Sequence, residues 1–241
     1  MNSPKILFIG ATHGDESIGV KALCLLSTKI PYLDWIIGNP PAYKQNTRTF
    51  EGDLNRSAPG DMQSTQYASR RAAEILKKTA SYDWIIDLHG AIPNCGIFIL
   101  ITKMTRENLT LAARLNISRI VYWPSISSEL VGPLSEFFSC GLEIECGPKD
   151  SIETEEKLTS ILETFIKEKE NDVSEEEIKQ SLSKRELYQI VGSSKTPRNN
   201  LQEFTEAIID GVKQTPLLVN QYIAQGITCY TMEKKLLSAW W

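Results

Sequence analysis

The stretch Lys5-Ile-Leu-Phe-Ile-Gly-Ala-Thr-His-Gly-Asp-Glu16 decides the fold. Lys5 to Gly10 is an apolar run closed by glycine, the pattern of a buried strand that feeds a loop. Glu16 to Ser27 follows with helix-compatible spacing, so the segment predicts a strand, a turn and a helix in succession. Asp34 to Gly38 reads as a second strand, ended by Asn39-Pro40-Pro41. Further strands are predicted at Asp83–Leu88, Gly96–Ile101, Ser118–Tyr122 and Gly141–Cys146. Helices are predicted at Ser64–Lys78, with Ser64 as the cap and Lys77 and Lys78 at the negative end of the dipole, at Thr105–Leu115 and at Ile152–Lys169. Strands that alternate with helices, each strand nearly all apolar, predict an α/β architecture with a mostly parallel sheet covered on both faces.

Lys44 to Gly60 is polar, with glycine and proline and no clear period, and predicts a long loop of the kind that often carries function. Lys167 to Lys184 is rich in charge and poor in aromatics; it reads as a helix extension or a solvated linker, with a domain boundary expected near it. The expected division is an α/β catalytic domain over residues 1–170, then a linker and small C-terminal β-rich domain over 171–241. Glu186–Val191 and Ile227–Thr231 are the strand-like pieces of the second part.

The chain has 26 basic and 30 acidic residues and a net charge of -4, which argues against non-specific nucleic-acid binding. The apolar run near the start, Ile6 to Ile9, is too short for a secretory signal or a membrane span. Five scattered cysteines without a C-x-x-C pair read as reduced thiols of a cytoplasmic protein.

The chain contains two histidines, and each closes an apolar strand and precedes a glycine: His13 in IGATHGDE and His89 in IIDLHG. In an open α/β sheet the carboxyl ends of strands are where ligands bind. His13 and Glu16 are three apart, which at a strand-to-helix turn brings both side chains to one side. Two histidines and one glutamate with an open fourth position is the ligand set of catalytic zinc, and it suits zinc better than calcium or magnesium, which prefer all-oxygen shells. Asp87, two residues before His89, is a candidate acceptor for an imidazole N–H. Arg48, Asn55 and Arg56 in the long loop offer planar donors suited to a carboxylate or a developing oxyanion. Glu143 and Glu145 share a strand face, and spacing does not choose between them.

The segments GATHGDE, NPPA, TRTFEGDLNR, YASRRAAEIL, YDWIIDLHG and IECGP, in this order, resemble the aspartoacylase/succinylglutamate desuccinylase family of the zinc carboxypeptidase superfamily. The resemblance runs from about Lys5 to Asp150 and continues weakly in RELYQIV, in TPR at Arg198 and in YTMEKK. It implies a zinc-carboxypeptidase-like α/β/α sandwich with a mostly parallel mixed sheet and a small C-terminal β domain. It also implies one zinc ion per subunit held by His13, Glu16 and His89, with Glu145 as the general base. Arg48 then polarises the scissile carbonyl, while Asn55 and Arg56 hold the substrate α-carboxylate. The implied partner is a small N-acylated amino acid, with no nucleic acid and no membrane; the oligomeric state, a homo-oligomer included, stays open. Ser135 aligns with the arginine that aspartoacylases use for a second carboxylate, and Ser193, with Lys195 close by, aligns with a C-terminal lysine. An N-acyl amino acid with a single carboxylate is therefore expected in place of N-acetylaspartate.

Two other readings share the same metal site. One is a metallocarboxypeptidase acting on a peptide C-terminus, and the other is a zinc-binding protein without catalysis. The short interval from Glu16 to His89 argues against the first. Glu145 and Arg48, which zinc binding alone does not require, argue against the second.

Overall fold

A computed structural model describes residues 3–124, 132–198 and 200–240 of the chain. The elements run β1 (Ile6–Gly10), α1 (Ile18–Lys29), β2 (Trp35–Ile37), α2 (Pro40–Gln45), α3 (Tyr67–Thr79), β3 (Trp84–Gly90) and β4 (Gly96–Ile101). Then come α4 (Arg106–Arg114), β5 (Arg119–Tyr122), β6 (Gly141–Gly147), α5 (Ile152–Glu168) and α6 (Glu175–Ser183). The chain continues through β7 (Glu186–Ser194), β8 (Ala207–Ile209), β9 (Val212–Leu217) and β10 (Cys229–Lys235).

One mixed sheet holds these strands in the order β2-β1-β3-β6-β4-β5-β7-β10-β9-β8. The pairs β1–β2, β1–β3, β3–β6, β4–β5 and β5–β7 are parallel, whereas β4 lies antiparallel to β6. The mostly parallel sheet expected from the apolar runs is present. Beyond β7 the sheet continues through antiparallel pairs, β7–β10, β10–β9 and β9–β8.

Because side chains alternate along a strand, each central strand feeds two cores. Phe8, Ile86, Leu88, Ile97, Ile99, Leu142 and Ile144 face α1, α4 and α5. Leu7, Ile9 and Ile85 face the other way and pack with Ala72 and Ile75 of α3. Further along that second face Phe98, Leu100, Val121 and Tyr188 form another cluster, bordered by Trp123, Tyr222 and Tyr230. Burying each such Leu, Ile or Phe side chain contributes about 1.5–3 kcal/mol, so both faces fix the strand register strongly. Polar side chains occupy the gap between the two clusters on this face.

The helices differ locally from the sequence expectation. α3 begins at Tyr67 rather than near Ser64, because Glu51 of the preceding loop accepts from the Tyr67 and Ala68 N–H groups at 3.2 Å. Residues after 174 form α6, which Ser174 and Glu177 close with a reciprocal capping box. Among the described residues no helix is long and apolar enough to cross a membrane.

Candidate metal centre and active site

β1 ends at Gly10, and the chain turns through Ala11 and Thr12 to His13. Ala11 has φ 54, a left-handed conformation that a non-glycine residue adopts at a cost of about 1–3 kcal/mol. The next constraint is Gly14, where an added Cβ would lie 2.1 Å from the Ala42 carbonyl carbon. Its N–H donates to the Arg48 carbonyl at 3.2 Å, which ties the histidine turn to the arginine loop. The predicted helix start at Glu16 is displaced to Ile18, so Glu16 stays in the turn with its side chain directed under the end of β3. There its Oε2 accepts from the Gly90 N–H at 3.1 Å and stands 3.0 Å from His89 Nδ1. Gly90 keeps this corner open, since a Cβ there would lie 2.7 Å from Lys149 Cβ and 3.3 Å from Ile18 Cγ2.

His13, Glu16 and His89 are all buried, and one ligand atom from each lies within 4.8 Å of the others. His13 Nε2 pairs with Asp53 Oδ1 at 3.3 Å, which turns Nδ1 toward Glu16. That Nδ1 is 3.0 Å from Glu16 Oε1, yet the two atoms are not aligned for a hydrogen bond and Nδ1 has no hydrogen-bond partner. A buried imidazole nitrogen with no partner, aimed at the same carboxylate as a second imidazole, fits a shared cation. The soft nitrogen pair with a single carboxylate is the donor chemistry of zinc.

Without a cation the charges of the trio are offset among themselves and by the neighbouring acids Asp53, Asp87 and Glu143. Burial alone would lower the His13 pKa, but Glu16 and Asp53 raise it overall. Burial likewise opposes the charge on His89, and Asp87 and Glu143 raise its pKa well above 6.5. Burial opposes ionisation of Glu16 too, and the two histidines hold its carboxyl well below the ordinary value.

Behind the trio, Asp87 Oδ2 lies 3.1 Å from His89 Nε2, at an angle poor for a hydrogen bond. Thr12 Oγ1 donates to Asp87 Oδ1 at 2.8 Å. In front of it, Glu145 is the register partner of His89 across the parallel β3–β6 pair. Burial pushes the Glu145 carboxyl up to about 7; His89 opposes the rise, while Glu16 and Glu143 add to it. Glu143 is paired in the same way with Asp87, one row deeper. Both acids left open by the sequence therefore face the site, and their rows separate them.

Arg48 Nη1 donates to Glu16 Oε1 at 2.9 Å, and its guanidinium sits over the Tyr222 ring, 5.7 Å from the centroid. Asn55 is buried in a short 3₁₀ turn, Leu54–Arg56, and its Oδ1 accepts from the Leu134 N–H at 2.8 Å. This fixes the amide so that Nδ2 remains as a donor. Arg56 is exposed beside it and donates to the Asn55 carbonyl at 2.8 Å. Ser135 is buried and donates to Glu143 Oε1 at 2.8 Å. Ser193 lines the cavity from β7, whereas Lys195 is exposed and does not line it.

One cavity of about 440 Å³ gathers His13, Glu16, His89, Glu145, Arg48, Asn55 and Arg56. A second cleft of about 480 Å³, beside α5 and α6, contains Glu177 as its one potential metal ligand. The chemistry therefore belongs to the first. Sequence reasoning missed Asp53, Tyr222, Trp123 and Tyr230. Asp53 had a signal, two residues before Asn55 in the same motif; the aromatic residues had none, because they reach the cavity only through the sheet. Gln221 secures that wall by accepting from the Ile92 N–H at 2.8 Å.

Comparison with known proteins gives the family and the fold. Residues 2–168 match the model of the succinylglutamate desuccinylase/aspartoacylase catalytic domain. A probable aspartoacylase of Prochlorococcus marinus is 33% identical over 164 residues, covering 61% of this chain and 55% of that protein. An N-acyl-aromatic-L-amino acid amidohydrolase of Xenopus laevis is 32% identical over 128 residues, 45% of this chain and 41% of that one. The chain thus spans about half the length of the curated relatives it matches. Murine aminoacylase 3 superposes with a TM-score of 0.75 at 17% identity, covering 98% of this chain and 96% of the other. The succinylglutamate desuccinylase of Chromobacterium violaceum gives 0.70 at 18% identity, over 97% and 85%. These two share the fold. With the matched model extending from before β1 to the end of α5, and so over every residue of the buried trio and Glu145, the chain belongs to the succinylglutamate desuccinylase/aspartoacylase family.

Proposed function

We propose that this chain is a zinc-dependent hydrolase that cleaves the amide bond of an N-acyl amino acid. The observation that carries the reading is the convergence of His13, Glu16 and His89 beside Glu145, in one cavity with three donors for anionic groups. When bound, zinc lowers the pKa of a water molecule toward ~7 and polarises a carbonyl.

This chain's own residues do the rest. Glu145 takes the proton of the attacking water and returns it to the leaving nitrogen, a role suited to a carboxyl that stands opposite His89 and lines the cavity. Arg48 donates to the oxygen on which negative charge develops. The Asn55 amide and the Arg56 guanidinium hold the substrate carboxylate, which fixes the amide bond relative to Glu145. Asp53 orients His13 through Nε2. Tyr222, with the guanidinium of Arg48 over its ring, excludes water from one side of the cavity.

The test is an assay of N-acyl amino acids and short peptides with and without chelator, on protein of measured zinc content. Chelator-sensitive release of free amino acid supports the reading. Turnover of peptides alone, or no turnover with zinc bound, refutes it.

A further inference from the structure

Two acids on the cavity's sheet face, Asp87 and Glu143, take no part in the reaction proposed above. They are register neighbours on β3 and β6, and both are buried. Adjacent carboxylates removed from water repel, and each needs donors. Asp87 has them: Thr12 Oγ1 lies 2.8 and 3.0 Å from its two oxygens. Glu143 is half satisfied. Its Oε1 accepts from Ser135, and among the described residues no donor hydrogen-bonds to Oε2. Its side chain lines the same cavity as the carboxylate-binding pair.

We propose that Glu143 is a specificity residue that selects N-acyl amino acids whose side chain ends in an amine. The inference rests on the deacylase reading and adds the substrate class to it. Leu134 donates its N–H to Asn55 Oδ1, and Ser135, the next residue, bonds Glu143. The carboxylate clamp and Glu143 are thus joined through one short turn. A side chain that branches from the carbon bearing the clamped carboxylate enters the cavity beside Glu143. An ammonium group brings three donors and meets the unpaired oxygen in a charge-assisted hydrogen bond.

The walls agree with that occupant. Leu100, the register partner of Glu143 on β4, gives an apolar surface for a methylene stem. Trp123 and Tyr230, in contact at 4.4 Å between centroids, offer aromatic faces that favour a cation. Among the described lining residues Arg48 and Arg56 are the cations, and both are assigned to the amide and its carboxylate. A second substrate carboxylate at this place would face a buried acid instead of a cation.

The experiment compares Nα-acetyl-lysine and Nα-acetyl-ornithine with N-acetylnorleucine, N-acetylphenylalanine and N-acetylaspartate on the zinc-loaded protein. The amine substrates are expected to exceed neutral norleucine in kcat/KM by about tenfold or more, the weight of one hydrogen bond to a charged group. E143Q is expected to bring that ratio close to one. Wild-type protein that prefers the neutral, aromatic or diacid substrate overturns the inference and leaves the deacylase reading intact. An E143Q variant that keeps the wild-type ratio overturns the role of Glu143. Failure to hydrolyse any N-acyl amino acid with zinc bound overturns the deacylase reading and this inference with it. The wild-type comparison decides the matter by itself where E143Q does not fold.

Discussion

His89 and Glu145 stand opposite each other in the β3–β6 ladder, one facing Glu16 and the other the open cavity. Parallel pairing thereby sets an imidazole beside Glu16 and a cavity-lining carboxyl side by side on two strands, where neither depends on a loop for its position.

Replacing His89 by alanine removes one of three converging donors. The expected result is loss of bound zinc together with activity, with the circular dichroism spectrum of the fold retained. Metal analysis of the purified variant checks it; an undiminished zinc content removes His89 from the ligand set. Asp53→Asn is the milder case: Asp53 Oδ1 faces His13 Nε2 and also accepts from the Asn55 N–H at 2.9 Å, so the amide disturbs both contacts, and zinc binding should weaken by about 10–100-fold.

Glu145→Gln preserves shape and removes the proton acceptor. Zinc content should stay at the wild-type level while kcat falls ~10²–10⁴-fold. Single-turnover kinetics on zinc-loaded protein is the measurement, and a fully active variant excludes Glu145 as the base.

Arg48→Ala tests the oxyanion donor. A loss of ~10²–10³ in kcat, with a smaller change in KM, is expected of a group that binds the transition state better than the ground state. The same loss appearing only in KM would assign Arg48 to ground-state binding.

The metal-free protein has a pH dependence of its own. His89 and His13 have folded pKa values above 6.5, so their contribution is complete below about pH 6.5 and is lost as pH rises through the folded values. Glu16 is held low, so its contribution is present above 4.5 and is lost as pH falls through its folded value. Chelated protein should therefore lose stability as pH rises above about 6.5, whereas zinc, which replaces the histidine protons, should abolish that slope. Urea midpoints across this range, with and without chelator, make the comparison; equal slopes would contradict it.

Gly14→Ala places a methyl group against the backbone of α2. Overpacking of this kind lowers stability by about 1–3 kcal/mol. The unfolding midpoint reads the effect, and an unchanged midpoint would mean that α2 shifts freely.

The trio was legible in the sequence because each histidine ends an apolar strand, where the chain must leave the sheet, and Glu16 sits three residues from the first. The choice between Glu143 and Glu145 was not legible in the spacing, and only the family resemblance pointed to Glu145. The choice depends on which row of β6 meets His89, a long-range pairing that alternation cannot report. The antiparallel entry of β4 between β6 and β5 is hidden for the same reason, since an apolar run carries no sign of its direction. The start of α3 was misread because its first N–H groups are satisfied by Glu51, a tertiary partner, and not by the serine that local rules favour. The charged residues after Ser174 hide a helix whose stability comes from its cap and from burying Ile178 and Leu182.

The origin of the cavity's residues has a consequence for how such a protein changes over generations. The converging metal donors and Glu145 come from residues 13–145, whereas Ser193, Tyr222 and Tyr230 reach the same space from strands and turns after α6. Part of the cavity wall is thus written in a stretch of chain separate from the converging donors. Substitutions in the later stretch can therefore reshape that wall while the buried trio and Glu145 are inherited unaltered.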